Sequence, residues 1–394
     1  MTRRIYFDNS ATTPICEEAL DRYCEVSRGL YGNPSSLHGV GLEAEKVLEA
    51  ARGDILATLG AVGDRLIFTG SGSEANNLAI LGRAFSKERY ARGKRIVTTA
   101  GEHASVREPL KMLAERGFEV VYLPTVGGSI DMEAAEAAID ERVILVTAMA
   151  VNNETGADYT ADIARIAAIM KRKAPEGVLH IDATQGYLKL PMKKSALGAD
   201  MITVSAHKVE GPKGVGALMI DKRLITAKGI SPIILGGGQE GGIRSGTENV
   251  PGIAAFATAA RVGEKNIRER TTAMQALRSR IIESIRSADE LSEVRVNEPK
   301  KAAPHIINIT LPRIKSETML HFLSAEGIFV SSGSACSSNV AEKDRGGALP
   351  SFGISAEEAD FSIRISLSHR NTSEDADALI RALCDGVGRL ARKR

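Results

Sequence analysis

Tryptophan is absent from the 394-residue chain, and aromatic residues of all kinds make up only 4% of it. That scarcity argues against a stacking platform for nucleobases. Charge of one sign is equally lacking, with 51 Lys and Arg against 49 Asp and Glu. Neither nucleic acid nor an anionic membrane surface is therefore expected as a direct electrostatic partner. No apolar run approaches the roughly 20 residues of a membrane-spanning helix; Val143–Val151 is the longest good candidate. Arg3-Arg4 is not followed by an apolar signal region, so no targeting peptide is expected. Cysteine is rare: Cys16, Cys24, Cys336 and Cys384 form no C-x-x-C pair, and no His/Cys cluster has zinc spacing. A disulfide framework and a metal site are both unexpected, and a reducing, cytoplasmic setting is the simplest reading.

What remains is an ordinary soluble composition, 43% apolar and 25% charged, in a chain long enough for two domains. Its centre is Ala199–Gly216, ADMITVSAHKVEGPKGVG. Met201–Val204 reads as a buried parallel strand and breaks into Ser205-Ala206-His207-Lys208 and a loop rich in glycine and proline. Most lysines face solvent. One at the carboxyl end of a buried strand suits a desolvated amine that forms a Schiff base. The preceding strand, within Gly177–Gln185, carries Asp182 at the equivalent edge. Ligands of open α/β sheets sit beyond the carboxyl ends of the strands, so both side chains should face one crevice. A carboxylate for a pyridine nitrogen and a lysine for an aldehyde are the minimal pair for pyridoxal 5'-phosphate.

Strand and helix signals alternate over about Phe68–Ile220 and predict a mostly parallel sheet covered on both faces. Arg65–Thr69 reads as a strand, followed at once by Gly70-Ser71-Gly72-Ser73-Glu74 and a helix. Ser71 and Glu74 have capping-box spacing, and glycines before a helix start form a cradle of N–H groups for an anion. The G-x-G-x-x-A match here also raises dinucleotide binding. That reading needs an acidic residue after the next strand, and Arg95–Thr99 ends in Thr-Thr-Ala, so a single phosphate is favoured. The carboxyl edge of the sheet then collects Ser73, His103, Asn153, Asp182, Gln185 and Lys208.

Beyond the glycine-rich stretch Gly236–Gly246, expected to pack on a ligand or a partner subunit, one long helix is predicted over Ala254–Ser287. An α+β unit follows, with strands at His305–Leu311, Ile328–Val330 and Ser362–Leu367 and a last helix near Glu374–Leu390. Between them lies SSGSACSS, Ser331–Ser338, in which six of eight residues are Ser or Gly. An accessible thiol in such a loop reads as a nucleophile, Cys336. Cys16, Cys24 and Cys384 read as packing residues. Arg364, in an alternating strand, is a surface charge by default and a bidentate clamp on a substrate carboxylate in the sharper reading.

FDNSATTP, GNPSSLH, FTGSGSEANNLAI, GEHASV, VNNETG, IDATQ, VSAHKVEGPKG, RSGTEN, SSGSACSS and SIRISL occur in this order over nearly the whole chain. The pattern resembles the cysteine desulfurases, pyridoxal-phosphate enzymes of the class V aminotransferase fold. The short cysteine loop resembles the branch that supplies sulfur to iron–sulfur clusters and tRNA thiolation. The resemblance implies fold type I, with a seven-stranded sheet in a large domain (14–256) and a small α+β domain (1–13 and 257–394). It implies that Lys208 holds the cofactor aldehyde, Asp182 the ring nitrogen, His103 the ring face and Gln185 the phenolic oxygen. Asn153 would lie between cofactor and substrate. Gly72, Ser73, Ser205 and His207 would bind the phosphate, which Thr247 would reach from the second subunit of a homodimer. Asn33 and Arg364 would bind the L-cysteine substrate, and Cys336 would take its sulfur as a persulfide, releasing alanine. A sulfur-acceptor protein is the implied partner.

Three stretches depart from the family pattern: Asn339–Gly353 in place of a hydrophobic helix, Gly241-Gly242 where a basic residue is common, and Ser368-His369 where glycine is usual. The rival readings are a selenocysteine lyase or related pyridoxal-phosphate lyase or aminotransferase, and a non-catalytic sulfur-transfer scaffold.

Overall fold

A computed structural model describes residues 4–87, 93–332 and 348–390. Cys336 and most of its loop lie outside the described residues.

The strands are β1 (Ile5–Tyr6), β2 (Arg65–Thr69), β3 (Arg95–Thr99), β4 (Glu119–Leu123), β5 (Val143–Met149), β6 (Val178–Asp182), β7 (Met201–Ser205), β8 (Gly216–Ile220), β9 (Arg295–Val296), β10 (Ile306–Thr310), β11 (Ile328–Phe329), β12 (Ser331–Ser332) and β13 (Ser362–Ser366). Up to β8 they alternate with α1 (Glu17–Gly29), α2 (Gly39–Thr58), α3 (Gly72–Lys87), α4 (Ala104–Glu115), α5 (Met132–Ala138), α6 (Thr160–Lys173) and α7 (Lys194–Leu197). Then come α8 (Lys222–Thr226), α9 (Val250–Lys265), α10 (Ile267–Ser287), α11 (Ser316–Ala325), α12 (Ala348–Phe352), α13 (Ala356–Ala359) and α14 (Ser373–Leu390).

Seven strands form one sheet in the order β2-β8-β7-β6-β5-β3-β4. Only β8 runs antiparallel to its neighbours, so the sheet is mostly parallel. Every residue of β5, β6 and β7 is buried, because helices cover both faces and leave no side for alternation. His180, in the middle of β6, is accommodated because hydroxyls on both flanking strands reach it: Thr147 Oγ1 lies 2.8 Å from Nδ1 and Thr203 Oγ1 2.9 Å from Nε2.

A second, antiparallel sheet, β12-β13-β10-β9, packs with α10, α11 and α14 on a separate apolar cluster. Ile5 and Phe7 belong to that cluster, and β1 pairs in parallel with β11. The stretch around β1 therefore packs with the second cluster, and a few residues later Thr13 N donates to His207 O beside β7, at 2.8 Å.

The expected single helix over Ala254–Ser287 is two helices broken at Asn266, whose backbone sits at φ −107°, ψ 10°. The Asn266 amide donates back to Val262 O at 3.0 Å. A short amide competing for the helix's own carbonyl groups is the local reason for the break.

Candidate active site

β6 ends at Asp182, β7 at Ser205 and β5 at Met149, all on the carboxyl edge. The turn from β2 into α3 arrives at the same edge, with the Ser71 hydroxyl accepting from Glu74 N at 3.1 Å. The Glu74 carboxylate accepts from Gly70 N at 2.8 Å rather than from Ser71 N, a variant of the predicted capping box. Gly216 lets β8 start against this turn: a Cβ there would stand 2.4 Å from Ser71 C and 2.7 Å from Gly72 N. The helix thus opens its free N–H groups toward the sheet edge.

One cavity of about 250 Å³ collects what these elements present. Gly72, Ser73, His103, Asn153, Asp182, Gln185, Ser205, His207 and Lys208 all line it. Asp182 and Lys208 therefore face a single space. Three sequence-predicted residues stand elsewhere. Thr247 and Asn33 are exposed and off the cavity, and Asn33 Oδ1 accepts from Ser35 N in its own turn. Arg364 sits beside the cavity, where it donates to Asn153 O at 2.9 Å.

The segment after β1 shapes the floor. Ser10 O accepts from Lys208 Nζ and from Gln185 Nε2, and Ala11 O accepts from Lys208 Nζ at 2.8 Å. Behind the loop, Lys189 Nζ donates to Lys208 O at 3.0 Å. Burial, reinforced by the Lys208 charge, pulls the Lys189 ammonium down to about 7. His207 is lowered to about 4 by burial and then by the positive charges of Lys208, Lys213 and Lys189, so it is neutral at pH 7. Its Nδ1 lies 3.2 Å from Thr12 Oγ1.

Sequence reasoning missed Asn76, Ser105 and Thr184, all on the cavity wall. Asn76 donates to Asp182 Oδ2 at 2.8 Å, and Thr184 N donates to Asp182 Oδ1 at 2.9 Å. The signal for Asn76 was its place four residues after Gly72, on the same helix face. Asp8 and Glu154, the carboxylate partners of Arg364, also went unnoticed; their Arg364 contacts are 3.1 and 2.7 Å. Ser368 and His369 form a tight turn in which Arg370 Nε approaches Glu210 Oε1 to 2.9 Å. Of Asn339–Gly353, residues 348–352 form α12, whose Ala348 and Leu349 are buried.

The cavity suits a phosphorylated pyridine aldehyde. Ser205 Oγ and Gln185 Oε1 are buried on its wall without a partner among the described residues. A Cβ on Gly72 would press on Ser205 Cβ at 3.2 Å and Thr184 Oγ1 at 3.3 Å. An anion cradle, a buried carboxylate and a lysine on one wall match the phosphate, ring nitrogen and aldehyde of pyridoxal 5'-phosphate.

Fold and site together define a pyridoxal-phosphate protein of the type I α/β architecture. The aminotransferase class-V family model matches residues 5–379, and the chain belongs to that family. It is 36% identical over 386 residues to Cysteine desulfurase IscS 1 of Archaeoglobus fulgidus, covering 98% of this chain and 97% of the relative. Identity to Cysteine desulfurase IscS of Proteus mirabilis is 36% over 391 residues, covering 98% of this chain and 93% of that one. A solved NifS-like protein superposes with a TM-score of 0.89 at 34% identity, covering 98% of this chain and 100% of the other.

Proposed function

We propose that this chain is a pyridoxal-phosphate-dependent cysteine desulfurase that converts L-cysteine to L-alanine and carries the sulfur as a persulfide on Cys336. The observation that carries the reading is that Lys208, Asp182 and His103 share one cavity with the N-terminus of α3. Relatives named as cysteine desulfurases along nearly the whole length support it.

When bound, pyridoxal phosphate supplies an electron sink that makes the substrate's Cα–H and Cβ–S bonds labile. Lys208 would be the amine that holds the aldehyde and would move the proton at the substrate's Cα. Asp182 would keep the ring nitrogen protonated, and His103 would cover the ring. Asn153 and Gln185 hold the ring's substrate side and phenolic oxygen. Gly72, Ser73, Ser205 and neutral His207 hold the phosphate by N–H and O–H donors and by the positive helix end. Arg364 grips the substrate carboxylate. The Cys336 thiolate bonds to the substrate sulfur, the Cβ–S bond breaks with its electron pair left on carbon, and protonation there gives alanine.

Thr247 is exposed, and so are the apolar side chains of Leu235, Tyr31 and Leu37. A homodimer that covers such residues and brings Thr247 to the partner's phosphate accounts for them. Asn33 keeps its proposed substrate role only if the assembled enzyme brings the substrate to it. The acceptor is a protein of iron–sulfur assembly or of tRNA thiolation, in the cytoplasm.

The test is the visible spectrum of the purified protein, followed by alanine and sulfide release from L-cysteine. Lys208→Ala should lose the colour, and Cys336→Ala should keep it but lose desulfuration. Equal turnover by Cys336→Ala and wild type would sink the persulfide route and favour a lyase of the selenocysteine type.

A further inference from the structure

We propose that Asn76 is a positioning residue that couples the carboxylate of Asp182 to the ring of His103 through one directional hydrogen-bond chain. The inference rests on the reading of those two residues as cofactor contacts.

Asn76 lies on α3 one turn beyond Gly72 and is buried. Its Nδ2 donates one hydrogen to Asp182 Oδ2 at 2.8 Å and the other to Ser105 Oγ at 2.9 Å. A flipped amide would set an oxygen against the carboxylate, so chemistry fixes this orientation. The orientation holds even though it leaves Asn76 Oδ1 buried without a partner among the described residues. Ser105 Oγ, having accepted from Asn76, lies 2.9 Å from His103 Nδ1, and Ser105 N donates to that nitrogen at 3.1 Å. A backbone N–H can only donate, so Nδ1 carries a lone pair and the ring proton is on Nε2.

The chain of donors therefore runs outward from one amide to both ends: to the carboxylate on one side, and through the Ser105 hydroxyl to the imidazole on the other. His103 offers an N–H at Nε2, and taking a second proton would require Nδ1 to leave Ser105. Desolvation, with the charges of Lys208 and Arg107, also holds the ring below the ordinary imidazole pKa, against the pull of Asp182. His103 thus faces the site as a neutral ring and hydrogen-bond donor.

The experiment uses histidine-¹⁵N-labelled full-length protein and a pyridoxal-phosphate titration of wild type, Ser105→Ala, Asn76→Ala and Asn76→Asp. The His103 signals are assigned by their loss in His103→Gln. In cofactor-free wild type they should show a bare Nδ1 and a protonated Nε2. Ser105→Ala and Asn76→Ala should both move the Nδ1 resonance, while only Asn76→Ala weakens cofactor binding, by about tenfold for a lost charge-assisted hydrogen bond. Asn76→Asp, nearly isosteric, loses both amide hydrogens and sets a second carboxyl against Asp182, so it should bind the cofactor at least as weakly as Asn76→Ala. Cofactor affinity in Asn76→Ala within twofold of wild type, together with an unmoved Nδ1 resonance, would overturn the coupling. Cofactor affinity in Asn76→Asp within twofold of wild type would do the same. Failure of wild type itself to take up pyridoxal phosphate would instead overturn the proposed function, and the Nδ1 resonance of the cofactor-free protein would still decide the coupling.

Discussion

Arg364 donates from Nη1 to Glu154 Oε1 at 2.7 Å, and both side chains are buried. The same guanidinium reaches Asp8 Oδ1 at 3.1 Å and Asn153 O at 2.9 Å. The group proposed to clamp substrate is thus already braced by two carboxylates, one from the segment after β1 and one from the loop after β5. Burial pushes both of those carboxyls up against the opposing pull of Arg364.

Arg364→Lys keeps a charge but loses the planar fork. The KM for L-cysteine should rise at least about tenfold, with kcat less affected, if one bidentate contact to the substrate is lost. Arg364→Ala should in addition lower stability by roughly 3–5 kcal/mol, because Glu154 is left buried without its partner. Steady-state kinetics and urea unfolding separate the two effects. An unchanged KM in Arg364→Lys would remove Arg364 from the substrate.

Glu102 gives a pH prediction. Its Oε1 accepts from Thr99 Oγ1 at 2.5 Å and Met149 N at 2.9 Å, Oε2 is buried without a partner among the described residues, and burial pushes the carboxyl up to about 8. From the ordinary carboxyl range up to about pH 8, the folded chain keeps a proton that the unfolded chain has lost. Stability therefore falls as pH rises through that window, by about 1.4 kcal/mol per pH unit. Glu102→Gln does not titrate, so its stability relative to wild type should rise by roughly 2–3 kcal/mol between pH 6 and pH 8. Urea unfolding at the two pH values, at equal cofactor saturation, measures the difference; a constant gap would mean Glu102 is ionised throughout.

Gly216→Ala tests the phosphate cradle. The added carbon would stand 2.4–2.7 Å from backbone atoms of Ser71 and Gly72, which cannot move without shifting the start of α3. A stability loss of about 1–3 kcal/mol is expected, together with weaker pyridoxal-phosphate binding. Gly117→Ala, where no atom is near but φ is +85°, is the control for backbone strain alone and should leave cofactor affinity unchanged.

Arg52 and Glu240 fasten the glycine-rich loop. The two side chains pair twice, at 2.8 and 3.0 Å, and Glu240 Oε2 also accepts from Phe68 N at 3.2 Å. Arg52→Met should cost roughly 3–5 kcal/mol by orphaning a buried carboxylate, and adding Glu240→Gln should restore part of it. Calorimetric melting of the single and double variants reads this, and additive losses would contradict a direct pairing.

Much of the sheet was legible because parallel strands buried on both faces read as continuous apolar runs: β2 and β3 were bounded correctly, the expected end of β6 falls at Asp182, and β7 runs one residue past its expected end at Val204, to Ser205. Those ends also announced their chemistry, since Asp182, Ser205 and Lys208 stand where such runs stop. The break at Asn266 was not legible, because helical apolar spacing continues through it and one amide decides the matter.

The sequence by itself determined the alternation of strands and helices, the glycine-led anion cradle and the residues gathered at the sheet's carboxyl edge. These follow from period, turn chemistry and local burial, which act over a few residues at a time. Only the tertiary structure decided that Ser10 and Ala11 receive the Lys208 amine, that Asp8 and Glu154 brace Arg364, and that Asn76 joins Asp182 to Ser105. Each of these contacts joins residues far apart in the chain, and a hydrogen bond between such residues is set by how packed elements meet, which no local pattern encodes.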